Sequence, residues 1–372
     1  MPGILSAIFG FALMSAYWPG ITGAATTPRW AVAALLAVAL FFAPRVVMTR
    51  THWIGLALLA WLGLSLTWSE GQLDGVDAAF KLCLAAIAFA IGSTMPDLRS
   101  LMIGAALGIG LNSGFAIAQA LGWHGIETYD NGLAGLFHNR DRLASAAAIV
   151  AIWLFSRPVR LWLLLPLVAP AVILPHSRAA WLALGAGLLM IVFRQMARRT
   201  VVQWVTFLVL FGVVGTGTVV AFGIGSPIGI DQRIALYRDT IAALTTFGHG
   251  LGSFWESFPA HAHYFSVVAE RPEHPHNEWL WLVYEGGMPA VVLAMASGYG
   301  VWVAAKDRAV LGGLFVLSCV AMPFHDPATL ILGALCAGHL VGRRAADGHK
   351  IVDSGGVVCS VLATNIGKRR AF

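Results

Sequence analysis

Apolar runs separated by short polar connections follow one another along almost the whole chain. A run of about 20 apolar residues is long enough for an α-helix to cross the hydrocarbon core of a bilayer. The pattern predicts an all-α integral membrane protein with about 12 transmembrane helices. The predicted helices lie near residues 3–18, 30–44, 53–67, 78–94, 98–121, 142–156, 160–174, 179–193, 201–224, 277–305, 309–323 and 327–342.

Composition removes the alternative of a soluble protein. The chain is 58% hydrophobic and 11% charged, whereas soluble domains carry about 25% charged residues. We therefore expect one polytopic membrane domain over residues 1–344. The polar, basic residues 345–372 are predicted to form a disordered cytoplasmic tail.

The distribution of basic residues orients the predicted helices. Cytoplasmic connections of membrane proteins are enriched in Lys and Arg, and placing both chain ends in the cytoplasm assigns most basic residues to that side. The net charge of +6 therefore indicates membrane topology rather than nucleic-acid binding. The short connections on the opposite side hold few basic residues: Arg29, Arg140, Arg142 and Arg178.

A long polar segment, residues 225–276, is predicted to be a non-cytoplasmic loop with functional residues. Residues 231–239 have apolar positions at helical spacing and predict a surface helix. The glycines of 248–252 follow no strand, so they predict a turn rather than a nucleotide site. Four aromatic residues argue against disorder and either stack on sugar rings or pack the loop onto the membrane face: Trp255, Phe258, Tyr264 and Phe265.

Arginines on the non-cytoplasmic side need a physical reason to be there. Arg178 opens an apolar helix, where it either anchors the helix at the interface or directs its guanidinium group at an anion. Arg233 and Arg238 lie on the predicted surface helix, where a solvated helix face is the alternative.

The long loop also contains a cluster of histidines with acidic neighbours. A zinc site is one interpretation, although the spacing matches no structural zinc motif, and a catalytic base is the interpretation we favour. His276 stands out because it directly precedes a helix that Asn277 can cap. The roles of three other histidines, and of His249 near the glycines, stay open: His261, His263 and His274.

The helix after His276 is predicted to break. Gly286, Gly287 and Pro289 lie about two turns into it and favour a kink. Glu285 then lies at the membrane boundary, where a carboxylate needs a partner. Glu285 and Glu278 are both candidates for orienting His276.

Three motifs together resemble the O-antigen ligase/polymerase family over roughly residues 135–330. The first is Ser177-Arg178 followed by small residues at the start of a helix. The second is Arg233 followed by the turn Gly250-Leu251-Gly252-Ser253-Phe254. The third is His276-Asn277-Glu278-Trp279-Leu280 followed by Glu285-Gly286-Gly287-Met288-Pro289. The sequence departs from the family where a His-Pro usually precedes the turn, because Phe247-Gly248-His249 stands there.

The resemblance implies a GT-C-like glycosyltransferase of the bacterial inner membrane with a periplasmic active site and no metal or cofactor. Such enzymes move a glycan from undecaprenyl pyrophosphate to a sugar hydroxyl of lipid A-core or of another lipid-linked glycan. Arg178 and Arg233 are expected to stabilise the pyrophosphate, and His276 to act as the base. The expected substrate contacts are Arg140, Arg142, Arg238, Asn277, Glu285 and His249.

A transporter or flippase of lipid-linked or anionic glycans is the alternative from another class. Transporters place ionisable groups near the bilayer midplane, whereas the apolar runs of this chain are nearly free of charge, with Lys81 and Glu285 as exceptions. That distribution favours chemistry at the membrane surface. Whether the enzyme is a ligase or a polymerase, and which sugars and acceptor it uses, stays open.

Overall fold

The computed structural model describes residues 3–20, 23–43, 46–126, 128, 132–196, 228–265, 272 and 274–345. These residues form helices and connections, with no strand among them. The principal helices are α1 Gly3–Ser15, α2 Thr27–Phe41, α3 Arg50–Ser65, α4 Gln72–Thr94, α5 Arg99–Ala120, α6 Arg140–Phe155, α7 Leu165–Ile173, α8 Arg178–Met196, α9 Ile228–Ala242, α10 Glu278–Ala304, α11 Ala309–Val320 and α12 at 327–345.

The all-α class is confirmed for the described residues. Within the described part of the chain, four stretches are long and apolar enough to cross a membrane: Arg50–Trp68, Gln72–Thr94, Arg99–Ala120 and Glu278–Ala304. Shorter apolar helices accompany them: Gly3–Ser15, Thr27–Phe41, Val159–Ile173 and Ala309–Val320. The count of about 12 spans and the GT-C-like arrangement stay predictions. The predicted helix 201–224 and nearly all of the tail lie outside the described residues.

Helix α6 lies at the centre of the bundle, where every residue from Leu143 to Leu154 is buried. It packs against α5, α7, α8 and α11. Helix α5 packs closely on α1 through small residues: an added side chain at Gly104 would collide with the backbone of Ala7, and one at Gly108 with Phe11 and Met14. Gly104 and Gly108 therefore form a small-residue packing face between α1 and α5.

Arg29 is fully buried, although the sequence suggested an outward-facing charge. Its guanidinium group donates to the carbonyl oxygens of Ala25 at 2.7 Å, Met14 at 3.0 Å and Leu136 at 3.2 Å. It also lies 3.8 Å from the ring centroid of Phe137. A buried cation needs such partners, and these contacts tie the end of α1 and the start of α2 to the connection that leads into α6.

Helix α10 breaks at Gly287, whose backbone angles are φ 68° and ψ −172°. A residue with a side chain rarely adopts this conformation. Pro289 lacks the N–H that would bond the carbonyl of Glu285 four residues earlier. The break predicted from Gly286, Gly287 and Pro289 is confirmed, and it leaves backbone groups of α10 free to bond elsewhere.

We expect Gly104→Ala to destabilise the protein by about 1–3 kcal/mol, because the new methyl group overpacks the contact between α1 and α5. Gly114→Ala is the matched control, since no atom lies within 4 Å of an added Cβ at Gly114 in the same helix. Thermal unfolding in detergent checks the difference. Equal unfolding temperatures for the two variants would contradict this packing.

Candidate functional site

Three helices begin with the same local structure, a histidine followed by a capping residue. Each histidine lies two residues before the first residue of its helix, and the residue between them caps the helix. The φ values are positive in all three cases: 63° at His138, 53° at His176 and 53° at His276. Positive φ is uncommon for any residue except glycine. The repeat is visible in the sequence as His-Asn-Arg, His-Ser-Arg and His-Asn-Glu, although it was not predicted.

The caps are made by side chains of the expected type. The Asn139 side chain accepts from the N–H groups of Asp141 and Arg142 at 2.8 and 3.3 Å. The Asn277 side chain accepts from those of Trp279 and Leu280 at 2.9 and 3.1 Å. Each cap satisfies N–H groups that have no partner within the helix. The predicted cap of α10 by Asn277 is confirmed.

The starts of α6, α8 and α10 lie at one end of the bundle. Ala180 in the first turn of α8 packs against Ala144 and Ala148 of α6. The half-buried Arg178 is therefore beside the first turns of α6. Burial and Arg233 lower the pKa of His276, and the charge of Asp141, in the first turn of α6, opposes that lowering. The starts of α6 and α10 are therefore within electrostatic reach of each other.

His276 lies between α9 and the start of α10. Its backbone oxygen accepts from the Tyr237 hydroxyl at 3.2 Å, and burial raises the pKa of Tyr237. Burial first, and then the positive charge of Arg233, lower the pKa of His276 to about 4. The side chain is therefore neutral near pH 7 and able to accept a proton.

Arg233 and Asn277 both contact the last residues of α11. The exposed Arg233 donates to the Val320 carbonyl oxygen at 3.4 Å, and the Asn277 side-chain amide donates to that of Cys319 at 2.7 Å. The structure thus brings Arg233, Asn277 and His276 together. Arg178 lies at the same end of the bundle, because it begins the helix that packs on α6.

Glu278 and Glu285, the two carboxylates expected to orient His276, bond other partners. Glu278 accepts from the Phe324 N–H at 2.6 Å, and its carboxylate lies 3.4 Å from Nδ1 of His325. Glu285 is buried and accepts from the N–H groups of Gly252 at 2.7 Å and Phe254 at 3.1 Å.

The glycine-rich turn docks into the break of α10. The N–H groups of His249 and Gly250 donate to the carbonyl oxygens of Tyr284 and Glu285 at 2.8 and 2.9 Å, and Gly286 accepts from the Trp61 indole at 2.7 Å. On its other side, the turn bonds the end of α3. The Ser65 hydroxyl oxygen accepts from the Leu251 N–H at 3.0 Å, and the Ser69 hydroxyl donates to the Leu251 carbonyl oxygen at 2.7 Å.

His249 belongs to the framework that holds this turn. Its Nε2–H donates to the Ala243 carbonyl at 2.8 Å, and its ring stacks on Tyr284 with centroids 4.4 Å apart. The His261 ring lies 5.2 Å away, and burial lowers the pKa of His261. Phe258 and Phe265 are buried in the adjoining apolar cluster, so these two aromatic residues pack the segment.

Asp239 on α9 anchors the segment that follows the turn, a role that was not predicted. Its buried carboxylate accepts from three consecutive N–H groups, those of His263, Tyr264 and Phe265, at 2.8–2.9 Å. The exposed Arg238 lies 3.7 Å from the centroid of the Tyr264 ring. Two neighbouring residues of α9 therefore hold this part of the loop: Asp239 bonds its backbone, and Arg238 packs on the Tyr264 ring.

The remaining candidates lie in the first turn of α6, where Arg140 is exposed and Arg142 is half-buried. Arg142 lowers the pKa of His274 through its charge, after the larger effects of burial and of His325 and His276. The His274 ring lies 4.8 Å from that of His276 and 5.5 Å from that of His325. Within the described residues, no group of three or more His, Cys, Asp or Glu side chains is arranged to hold a metal ion.

The comparisons with known proteins agree with the motifs. A model of the family described as O-antigen ligase matches residues 163–295, a segment that contains Arg178, Arg233 and His276. The resemblance drawn from the sequence is therefore confirmed, and members of this family are glycosyl-transferring enzymes. No curated protein matches the chain.

We expect Glu285→Gln to destabilise the docked turn by about 1–3 kcal/mol, because an amide leaves one of the two buried N–H donors without an acceptor. Glu256→Gln, an exposed change in the same segment, is the control. Thermal unfolding and limited proteolysis of residues 247–265 measure the effect. Wild-type protease resistance of the Glu285 variant would show that this carboxylate does not hold the turn.

Proposed function

We propose that this protein is a membrane glycosyltransferase that moves a glycan from undecaprenyl pyrophosphate to a sugar hydroxyl, as an O-antigen ligase or a polysaccharide polymerase. The observation that carries the proposal is a neutral histidine, His276, beside the cation of Arg233 at the start of a helix. A neutral base next to a fixed positive charge suits attack by a hydroxyl on a donor with an anionic leaving group.

Arg178 and Arg233 stabilise the departing pyrophosphate in this proposal. Guanidinium groups stay charged and form two parallel hydrogen bonds to phosphate oxygens. The negative charge on the leaving group increases as the bond to the sugar C1 breaks, so these cations act most strongly in the transition state. No metal or cofactor is needed for that step in the proposed mechanism.

His276 takes the proton of the acceptor hydroxyl as the oxygen attacks C1. Its pKa of about 4 describes the protein without substrate, where Arg233 disfavours the imidazolium form. An anionic pyrophosphate beside Arg233 offsets that repulsion and raises the pKa of His276. The base is therefore stronger when the donor is bound, which is when it is used.

The other predicted contacts divide into two groups. Arg140, Arg142 and Arg238 are proposed to contact phosphate or sugar, because they lie on the helices that flank His276. Asn277, Glu285 and His249 are proposed to act indirectly, because their polar atoms bond the backbone that positions His276 and the turn.

The proposed location is the bacterial inner membrane, with both chain ends in the cytoplasm and the site on the periplasmic face. A lipid-linked donor enters from the bilayer, and the acceptor is lipid A-core or a second lipid-linked glycan. Basic residues in the connections on the other face support this orientation.

We expect His276→Asn to reduce transfer by about 10²–10⁴-fold, the usual contribution of a general base. Asn tolerates the positive φ of this position better than most residues, so insertion and donor binding should persist. Transfer is measured with lipid-linked glycan and acceptor glycolipid extracted from a strain that lacks the gene. His176→Asn, at an exposed position of the same backbone conformation, is expected to retain transfer. Full activity of His276→Asn would remove the base assignment.

We expect Arg233→Gln to shift the acidic limb of kcat/KM to higher pH. Burial, and then the charge of Arg233, lower the pKa of His276 to about 4. Removing the charge raises that pKa, so the base becomes protonated earlier as the pH falls. Arg238→Gln, on the same helix, should reduce the rate without moving the limb. An unmoved limb in Arg233→Gln would mean that the two side chains do not interact.

A further inference from the structure

A cavity of about 350 Å³ lies between α4, α10 and the connection from α11 to α12. This volume is within the usual range of small-molecule sites, roughly 300–1,000 Å³. The catalytic proposal does not use it. Its lining includes His274, whose ring lies 4.8 Å from that of His276, so the cavity adjoins the proposed base.

The lining combines aromatic rings with carboxylates. Trp255, Trp281 and Phe324 contribute rings, and Asp74, Asp77 and Glu285 contribute carboxylates. Aromatic faces pack against the C–H faces of sugar rings, and carboxylates accept hydrogen bonds from hydroxyl groups. This combination suits a carbohydrate better than a lipid chain.

The charge of the lining opposes an anionic ligand. Lys81 also lines the cavity, but it forms an ion pair with Asp77 one helical turn away. Because this pair balances itself, a phosphate here would face the carboxylates of Asp74 and Glu285 without an unmatched lysine. By contrast, Arg142 and Arg233 act on His274 and His276 from α6 and α9, and neither arginine lines the cavity.

His274 connects the cavity to the base in a further way. Its Nδ1 is buried without a hydrogen-bond partner among the described residues. Because this nitrogen is inaccessible even to water, other atoms of His274 line the cavity. A sugar bound there lies one imidazole ring away from His276.

We propose that this cavity binds a neutral sugar ring of the acceptor and presents one of its hydroxyl groups to His276. The inference rests on the proposed function, and it specifies which of the two substrates occupies this cavity. The anionic donor lies on the arginine side of the two histidines, and the uncharged acceptor lies on the carboxylate side.

Filling the cavity from α4 tests the proposal. Ala78 lines the cavity, whereas Val76, two residues away in the same helix, is exposed. The measurement uses the full-length protein in detergent. Ala78→Phe should raise the acceptor concentration needed for half-maximal transfer by on the order of tenfold. The donor concentration needed for half-maximal transfer should not change. Val76→Phe should match the wild type in both half-maximal concentrations. If Ala78→Phe changed only the half-maximal concentration of the donor, the assignment of the cavity to the acceptor would be overturned.

Direct binding provides a second measurement that does not depend on turnover. The probes are chitobiose, a neutral disaccharide, and a glucuronate-containing disaccharide, each followed by saturation-transfer NMR. Wild type, Val76→Phe and His276→Asn should bind chitobiose in preference to the uronate. Ala78→Phe and the milder Asp74→Asn, at an exposed position of the lining, should bind it less.

The outcomes separate the two proposals. Equal binding of both probes, or unchanged binding in Ala78→Phe and Asp74→Asn, would overturn the cavity assignment while the transfer results with His276→Asn stand. Absence of transfer by the wild-type protein would instead overturn the proposed function, and full transfer by His276→Asn would remove only the base assignment. Asp74→Asn also covers the case in which Ala78→Phe fails to fold.

Discussion

Glu285 accepts two hydrogen bonds from the glycine-rich turn, and this buried carboxylate sets the geometry of the whole site. Removing a carboxylate from water is expensive, and the N–H groups of Gly252 and Phe254 offset that cost. The break at Gly287 adds carbonyl groups of α10 that bond the same turn. Because α9 packs with the turn and with the first turns of α10 in one apolar cluster, the position of Arg233 relative to His276 depends on these bonds.

Local chemistry explains the parts of this arrangement that could be predicted from sequence. The cap at Asn277 and the break at Gly286–Pro289 each follow from the backbone preferences of a few neighbouring residues. The motif that contains His276 was predictable for the same reason. The structure adds that His138 and His176 precede helices in the same way, a repeat that the sequence contains at unequal spacing.

Partners far apart in the sequence could not be predicted. The need of Glu285 for a partner followed from its burial, but two N–H groups of the turn satisfy it, 31 and 33 residues away. Glu278 lies against His325 rather than His276, and Arg29 reaches the Leu136 carbonyl 107 residues away. A charge in an apolar run indicates that some partner exists; only the packing of helices determines which one.

Arginines lie on one side of His274 and His276, and carboxylates line the cavity on the other side. This separation of charge explains why a base with a low pKa suits the site. Burial and Arg233 keep His276 neutral before substrates bind, so the histidine does not compete with the arginines for the site's negative charge. In the proposed mechanism, a pyrophosphate donor supplies the charge that stabilises the imidazolium form, and proton transfer from the acceptor then becomes more favourable. The donor therefore activates the base for its own attack. A water molecule that reaches His276 before the donor meets only a weak base.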